Sequence, residues 1–282
     1  MKAFGPLVSA DWLRRNHGAP DLRIVDLRWY LDGRSGRDAY AAGHIPGAVF
    51  VDLDHDITAA EGAGRHPLPS REQFESAMRR AGINSGDRVV SYDDQGGFSA
   101  GRLWWLLRLF GHRTAAILDG GLQAWPGSLE TGFPAPPPPG DFVAADPDRS
   151  LLVTFDELAA APPGSVVIDA RAPERYRGEV EPIDPRAGHI PGARNVPWNA
   201  NLGPDRRFLP AAELRRLYAA AGIGQGADVI AYCGSGVSSV VDLIGLEVAG
   251  LPGARLYPGS WSDWSRRPGA PVATEDEARP RG

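Results

Sequence analysis

At 282 residues the chain is long enough for one large domain or two of ordinary size. Its composition, 43% hydrophobic and 23% charged, is that of a soluble globular protein. A net charge of −5 without any block of Lys and Arg argues against a nucleic-acid footprint. The start, Met1-Lys2-Ala3-Phe4-Gly5-Pro6, has no apolar core of signal-peptide length, and no stretch approaches the ~18 apolar residues of a membrane span. With one cysteine, Cys233, an internal disulfide is impossible and a reduced cytoplasm is the expected compartment.

In chain order, Ser9 is placed to open a first helix, and strands are predicted at 22–27 and 48–51. A helix follows at 70–81, opened by a capping box Ser70…Gln73, then a strand at 87–92, a helix at 99–110 and a strand at 114–118. Phe133-Pro134-Ala135-Pro136-Pro137-Pro138-Pro139-Gly140 can be neither helix nor central strand and reads as a stiff extended linker. Thr154-Phe155-Asp156-Glu157 is a second capping box. Strands at 165–170 and 193–196, a helix at 210–221, a strand at 227–232, a helix at 237–249 and a strand at 254–257 complete the series. Short apolar strands alternating with helices imply parallel sheets covered on both faces, with ligands at the carboxyl ends of the strands.

The second half repeats the first at an offset of roughly 140 residues, far too long for a solenoid. Gly43-His44-Ile45-Pro46-Gly47-Ala48 returns as Gly188-His189-Ile190-Pro191-Gly192-Ala193, and Val25-Asp26-Leu27-Arg28 as Ile168-Asp169-Ala170-Arg171. Val89-Val90-Ser91-Tyr92 returns as Val229-Ile230-Ala231-Tyr232, and Gly120–Trp125 answers Gly259–Trp264. One fold is therefore used twice: a domain over 1–133, a Pro-rich linker over 134–150 and a second domain over 151–282. His44 and His189 are expected to be fold elements, the Asp-x-Arg pairs to be strand-end groups that fix loops, and the eight tryptophans to be mainly core.

The copies differ where Cys233-Gly234-Ser235-Gly236-Val237-Ser238-Ser239 faces Asp93-Asp94-Gln95-Gly96-Gly97-Phe98-Ser99. A free cysteine is most often a small inert hydrophobe. Here it ends a strand, precedes a helix and is flanked by Gly234 and Gly236, which permit close backbone approach. Loop amides and the helix dipole would lower its pKa and make the sulfur nucleophilic. Aspartate cannot do that chemistry, so the first copy is expected to keep the fold without the activity.

These motifs together resemble the two-domain rhodanese-type sulfurtransferases over nearly the whole chain. The resemblance implies two tandem α/β rhodanese-like domains and a persulfide intermediate on Cys233. It implies a small-molecule sulfur donor, an acceptor that is a thiol, thioredoxin or cyanide, and no metal or organic cofactor. Thiosulfate-using members typically carry basic residues after the cysteine. The loop Cys233-Gly234-Ser235-Gly236-Val237 is instead similar to that of the 3-mercaptopyruvate sulfurtransferases, with thiosulfate:cyanide transfer as the alternative. By the same resemblance Arg175 binds the donor carboxylate, and Arg186 stands in the region of a second family arginine, beyond a segment, Glu179 to Pro185, of different spacing. The loop residues Gly234, Gly236, Val237 and Ser238 would line the donor, and Ser235, His66 and Asp54 would move protons. Two rivals are a phosphatase of the same fold and a persulfide carrier without turnover. The phosphatase needs Cys-x5-Arg, and the sixth residue after Cys233 is Ser239.

Overall fold

A computed structural model describes residues 4–274. The chain forms two compact units. The first comprises 4–59, Leu68–Asp148 and Pro204–Phe208; the second comprises Ala60–Pro67, Arg149–Gly203 and 209–274. Each unit thus takes in a short segment from the other half of the chain.

In the first unit the strands are Leu7–Val8 (β1), Leu22–Asp26 (β2), Val49–Phe50 (β3), Arg88–Tyr92 (β4) and Ala115–Leu118 (β5). They lie in the order β1-β5-β4-β2-β3, and every pairing is parallel. The helices are Ala10–Asn16 (α1), Gly36–Ala42 (α2), Arg71–Arg80 (α3) and Ala100–Leu109 (α4). The central strand is apolar along its length because both faces are covered: Val89 and Val90 are fully buried. Ser9, Ser35 and Ser70 cap their helices through side-chain oxygens. The box at Ser70 is only half formed, because the Gln73 amide turns away to donate to Thr58 O at 2.8 Å.

The second unit has strands Val166–Asp169 (β6), Arg194–Asn195 (β7), Val229–Tyr232 (β8) and Arg255–Leu256 (β9), in the order β7-β6-β8-β9 and again all parallel. The counterpart of β1 shrinks to a single parallel bridge between Leu152 and Leu256. The helices are Phe155–Ala159 (α5), Pro173–Tyr176 (α6), Ala211–Ala220 (α7), Val240–Val248 (α8) and Ser260–Trp264 (α9). Thr154 and Glu157 form a complete capping box at α5. Among the described residues no helix is long and apolar enough to cross a membrane.

The repeat holds at the level of single hydrogen bonds. Arg28 pairs with Asp26 at 2.6 Å and donates to Gly43 O at 2.7 Å; Arg171 pairs with Asp169 at 2.6 Å and donates to Gly188 O at 2.6 Å. Each buried arginine so ties a strand end to the following Gly-His turn. His44 and His189 are fully buried, stack on Tyr40 and Tyr176 at 3.8 Å, and have Nδ1 within 2.9 and 2.8 Å of those tyrosines' carbonyls. Tyr92 and Tyr232 accept from Ile45 N and Ile190 N, both at 3.1 Å.

The Pro-rich stretch is extended but it is anchored. Gly140 N donates to Arg79 O at 2.8 Å, Arg79 Nε donates to Phe142 O at 2.7 Å, and Phe142 is buried against Phe74. Its prolines cannot supply these donors, so the glycine and the residues after it do.

Candidate active site

β8 delivers Cys233 to the carboxyl end of the second sheet, and the backbone then turns sharply before α8. The loop is held from outside by α9 and the turn before it. Ser260 Oγ accepts from Cys233 N at 3.1 Å, Trp261 N donates to Cys233 O at 2.9 Å, and Ser262 N donates to Gly234 O at 2.9 Å. Ser260 adopts φ +53°, a left-handed conformation that non-glycine residues rarely hold. Its counterpart in the first unit is Gly121 at φ +61°. The serine accepts a strained backbone and in return fixes the Cys233 amide. Gly236 has φ +74°, and a Cβ there would lie 2.4 Å from Pro258 O, so this turn requires glycine.

Helix α8 begins at Val240, three residues later than the periodicity predicts. The reason is chemical: the amides of the missing turn point at the sulfur. Gly236 N donates to Cys233 Sγ at 3.2 Å. Burial pushes the Cys233 thiol up, but hydrogen bonds from the Ser238 and Ser239 hydroxyls and the Ser235 and Ser239 amides outweigh it, and the thiol lies below its ordinary value. Ser239 Oγ has no nitrogen or oxygen partner, which leaves it for the sulfur. Cys233, Ser235, Val237 and Ser238 are all buried, at 2, 8, 2 and 7% exposure, so the nucleophile sits in a largely dry cradle.

The first unit shows what that cradle is for. Asp93 takes the place of Cys233, and its carboxylate accepts from Gln95 N at 2.8 Å, Gly97 N at 2.9 Å, Ser99 N at 2.8 Å and Ala100 N at 3.0 Å. Gln95 and Ser99 align with Ser235 and Ser239, whose amides face the sulfur. The loop is an anion holder in both units. In one the anion is a built-in carboxylate; in the other it is a thiolate.

Next to the cysteine loop lies a network of ion pairs. Arg175 donates from Nη2 to Glu181 at 2.6 Å and to Asp184 at 3.4 Å. Arg171, besides pairing with Asp169, reaches Glu181 at 3.2 Å. Arg65, which sequence reasoning missed, pairs through Nη1 with the buried carboxylate of Asp184. A Cβ built on Gly234 would stand 2.8 Å from Arg65 Nη2 and 3.5 Å from Arg175 Nη1. Gly234 thus lies directly beneath two guanidinium groups.

The remaining expected site residues fall as follows. His66 is buried and belongs, with Ala60–Pro67, to the second unit. Asp54 lies in the first unit, on the exposed turn after β3, where its carboxylate accepts from Trp29 Nε1 at 2.7 Å. Arg186 departs from expectation. Its guanidinium donates to the carbonyls of Ser265 at 2.7 Å, Ala270 at 2.7 Å, Trp264 at 2.9 Å and Arg267 at 3.3 Å. All three nitrogens are committed to capping the end of α9, so none is left for a donor carboxylate. Behind the loop, Asp242 in the first turn of α8 is fully buried, with Oδ1 accepting from Asn201 at 2.7 Å. Burial, reinforced by the nearby charges of Cys233 and Asp169, pushes this carboxyl well above its usual range.

Two parallel α/β units with an anion-holding loop at a strand's carboxyl end define the class, and comparison with known families agrees. The model of the rhodanese-like domain matches residues 9–127 and again 154–267, and the chain belongs to the rhodanese family. It is 45% identical over 280 residues to a protein of Pseudomonas aeruginosa named "Probable 3-mercaptopyruvate sulfurtransferase", covering 96% of this chain and 98% of that one. It is also 45% identical over 257 residues to "Putative thiosulfate sulfurtransferase SseB" of Mycobacterium tuberculosis, covering 88% and 89%. Among solved structures it is similar to the 3-mercaptopyruvate sulfotransferase SseA of Escherichia coli, with TM-score 0.81, 35% identity and coverage of 91% of this chain and 99% of that one.

Proposed function

We propose that this protein is a sulfurtransferase that takes sulfur from 3-mercaptopyruvate onto Cys233 and passes it to a thiol, to thioredoxin or to cyanide, in the cytoplasm. The observation that carries the reading is the Cys233 loop: a sulfur held by amides and hydroxyls, next to a glycine overlain by two guanidinium groups. The thiolate attacks the donor sulfur, a new S–S bond forms, and the donor's C–S bond breaks. The electron pair of that bond goes to carbon as the enolate of pyruvate, which takes up a proton. Ser235, His66 and Asp54 are the groups we assign to that proton. Cys233 is left as a persulfide. An acceptor thiolate or cyanide then attacks the outer sulfur, and the Cys233 thiolate leaves.

Low thiol pKa serves both steps, since Cys233 is nucleophile in the first and leaving group in the second. The sixth residue after Cys233 is Ser239, so the arginine that clamps phosphate in phosphatases of this fold has no counterpart. A relative named for thiosulfate makes that donor the competing one. Purified protein exposed to each donor in turn and then weighed by intact mass spectrometry tests the reading. We expect 3-mercaptopyruvate to add one sulfur atom to the wild type and none to Cys233→Ser, and the variant to lose transfer to cyanide. Transfer retained by Cys233→Ser would overturn the mechanism. A persulfide that forms but never turns over would point to a carrier.

A further inference from the structure

We infer that Arg65 is the second guanidinium of the donor-binding site and sets the choice of donor, filling the place that Arg186 does not. The inference deepens the reading above and rests on it. Arg65 precedes His66 in a segment that packs wholly with the second unit. Its backbone is fixed to the cysteine loop through one residue: Arg65 N donates to Ser262 Oγ at 3.0 Å, and Ser262 N donates to Gly234 O at 2.9 Å. The preceding Gly64, at φ +79°, lies so close that a Cβ there would be 2.5 Å from Gly259 O.

The side chain is equally constrained. Asp184, whose side chain is 0% exposed, bridges Arg65 through Oδ1 and Arg175 through Oδ2. One carboxylate so holds two guanidinium groups at a fixed separation and leaves Arg65 Nη2 and Arg175 Nη1 converging over Gly234. Two N–H donors meeting from different arginines suit a single carboxylate spanning them. Gly234 and Arg65 then form one device. The loop lacks a side chain at 234 because the cation arrives from above, and any Cβ would stand where Nη2 reaches in.

Charge selects the donor class. Arg65, Arg171 and Arg175 are balanced by Asp169, Glu181 and Asp184, so the cluster is neutral before the donor enters. Into such a site a monoanionic α-keto carboxylate brings one charge to two free donors. A dianion such as thiosulfate brings two, at a greater desolvation cost.

Three full-length variants test this: Arg65→Met, Arg65→Lys and Arg65→Met/Asp184→Asn, each assayed with both donors. Losing a charge-assisted hydrogen bond to the donor raises KM for 3-mercaptopyruvate by about tenfold to a hundredfold while kcat stays within about threefold. Lysine recovers part of the loss. The double variant removes the carboxylate that Arg65→Met leaves under-paired. A KM that stays high in it identifies lost donor contact; a KM that returns to the wild-type value identifies mere bracing and overturns the inference. Unchanged KM in Arg65→Met also overturns it. The rate of Cys233 alkylation by iodoacetamide, expected to be unchanged, reports on loop integrity in all three. Wild-type protein that uses thiosulfate but not 3-mercaptopyruvate would defeat the donor reading itself. In that case the thiosulfate KM of Arg65→Met decides whether Arg65 anchors any donor, and the α-keto carboxylate selection falls.

Discussion

Positions 93 and 233 put a carboxylate and a sulfur into the same backbone cradle. Four amides converge on Asp93, whose side chain is fully buried. Asp93→Ala removes the acceptor and leaves those donors without a partner in a dry loop. Each unsatisfied buried donor costs about 1–3 kcal/mol, with some relief from water or local shifts, so we expect about 3 kcal/mol or more of lost stability. A lower urea midpoint of the unfolding transition, read at unchanged slope, checks this. A variant as stable as wild type would mean that the cradle is tolerant of vacancy and that Asp93 is incidental. At this scale the sequence was unusually legible, because each half serves as a control for the other. The contrast of Asp93 with Cys233 locates the reactive loop without any structure. Arg65 and Ser260 were not legible, for opposite reasons. Arg65 acts from the other half of the chain, and no local pattern links it to Gly234. Ser260 differs from Gly121 by a hydroxymethyl group whose purpose appears only once its oxygen is seen on the Cys233 amide.

Among the elements, strands were placed well because buried parallel strands are short apolar runs between turn signals. Helices shorter than two turns, α2, α6 and α9, gave too few periods to register. Helix α8 was placed correctly but begun too early, since its periodicity runs back into residues whose amides serve the sulfur. That helix also carries the least expected residue of the unit, Asp242, in a segment otherwise apolar. Asn201, Tyr218, Cys233 and Asp169 are the polar and titratable groups around its carboxyl. Because burial raises its folded-state pKa above the unfolded value near 3.8, the folded protein holds a proton that the unfolded chain has released. Stability from this group is therefore full below the unfolded pKa and falls as pH rises toward the folded one. Asp242→Asn keeps the acceptor for Asn201 and removes the titration. We expect the variant to gain stability over wild type progressively from about pH 4 to about pH 8, measured as the difference in urea unfolding free energy. A difference that stays flat across that range would show that Asp242 does not carry the proton.

At the scale of the molecule, duplication and exchange act together. The fold is written twice, yet neither copy is complete within its own half of the sequence. Pro204–Phe208 joins the first unit, where Phe208 N donates to Asp119 at 2.9 Å, and Ala60–Pro67 joins the second. The linker composition was easy to read and suggested a clean cut between halves. The exchanged segments were invisible, because a loop's destination depends on tertiary contacts and leaves no periodic trace. The consequence is testable by division of the chain. Residues 149–282 contain β6 to β9, α5 to α9 and the entire Cys233 loop, so the sheet and its core can form. They lack Arg65 and His66, and they leave Asp184 buried with Arg175 alone at 3.4 Å and Ser262 Oγ without its backbone donor. We expect this fragment to keep a far-UV circular dichroism spectrum of mixed helix and sheet but to lose about a hundredfold or more in kcat/KM for sulfur transfer from 3-mercaptopyruvate. Such a loss without unfolding would mean that the active loop is assembled by both halves of the sequence even though it is written in one. A fragment as efficient as the whole chain would mean that Ala60–Pro67 contributes nothing to the chemistry, and with it would fall the role given to Arg65.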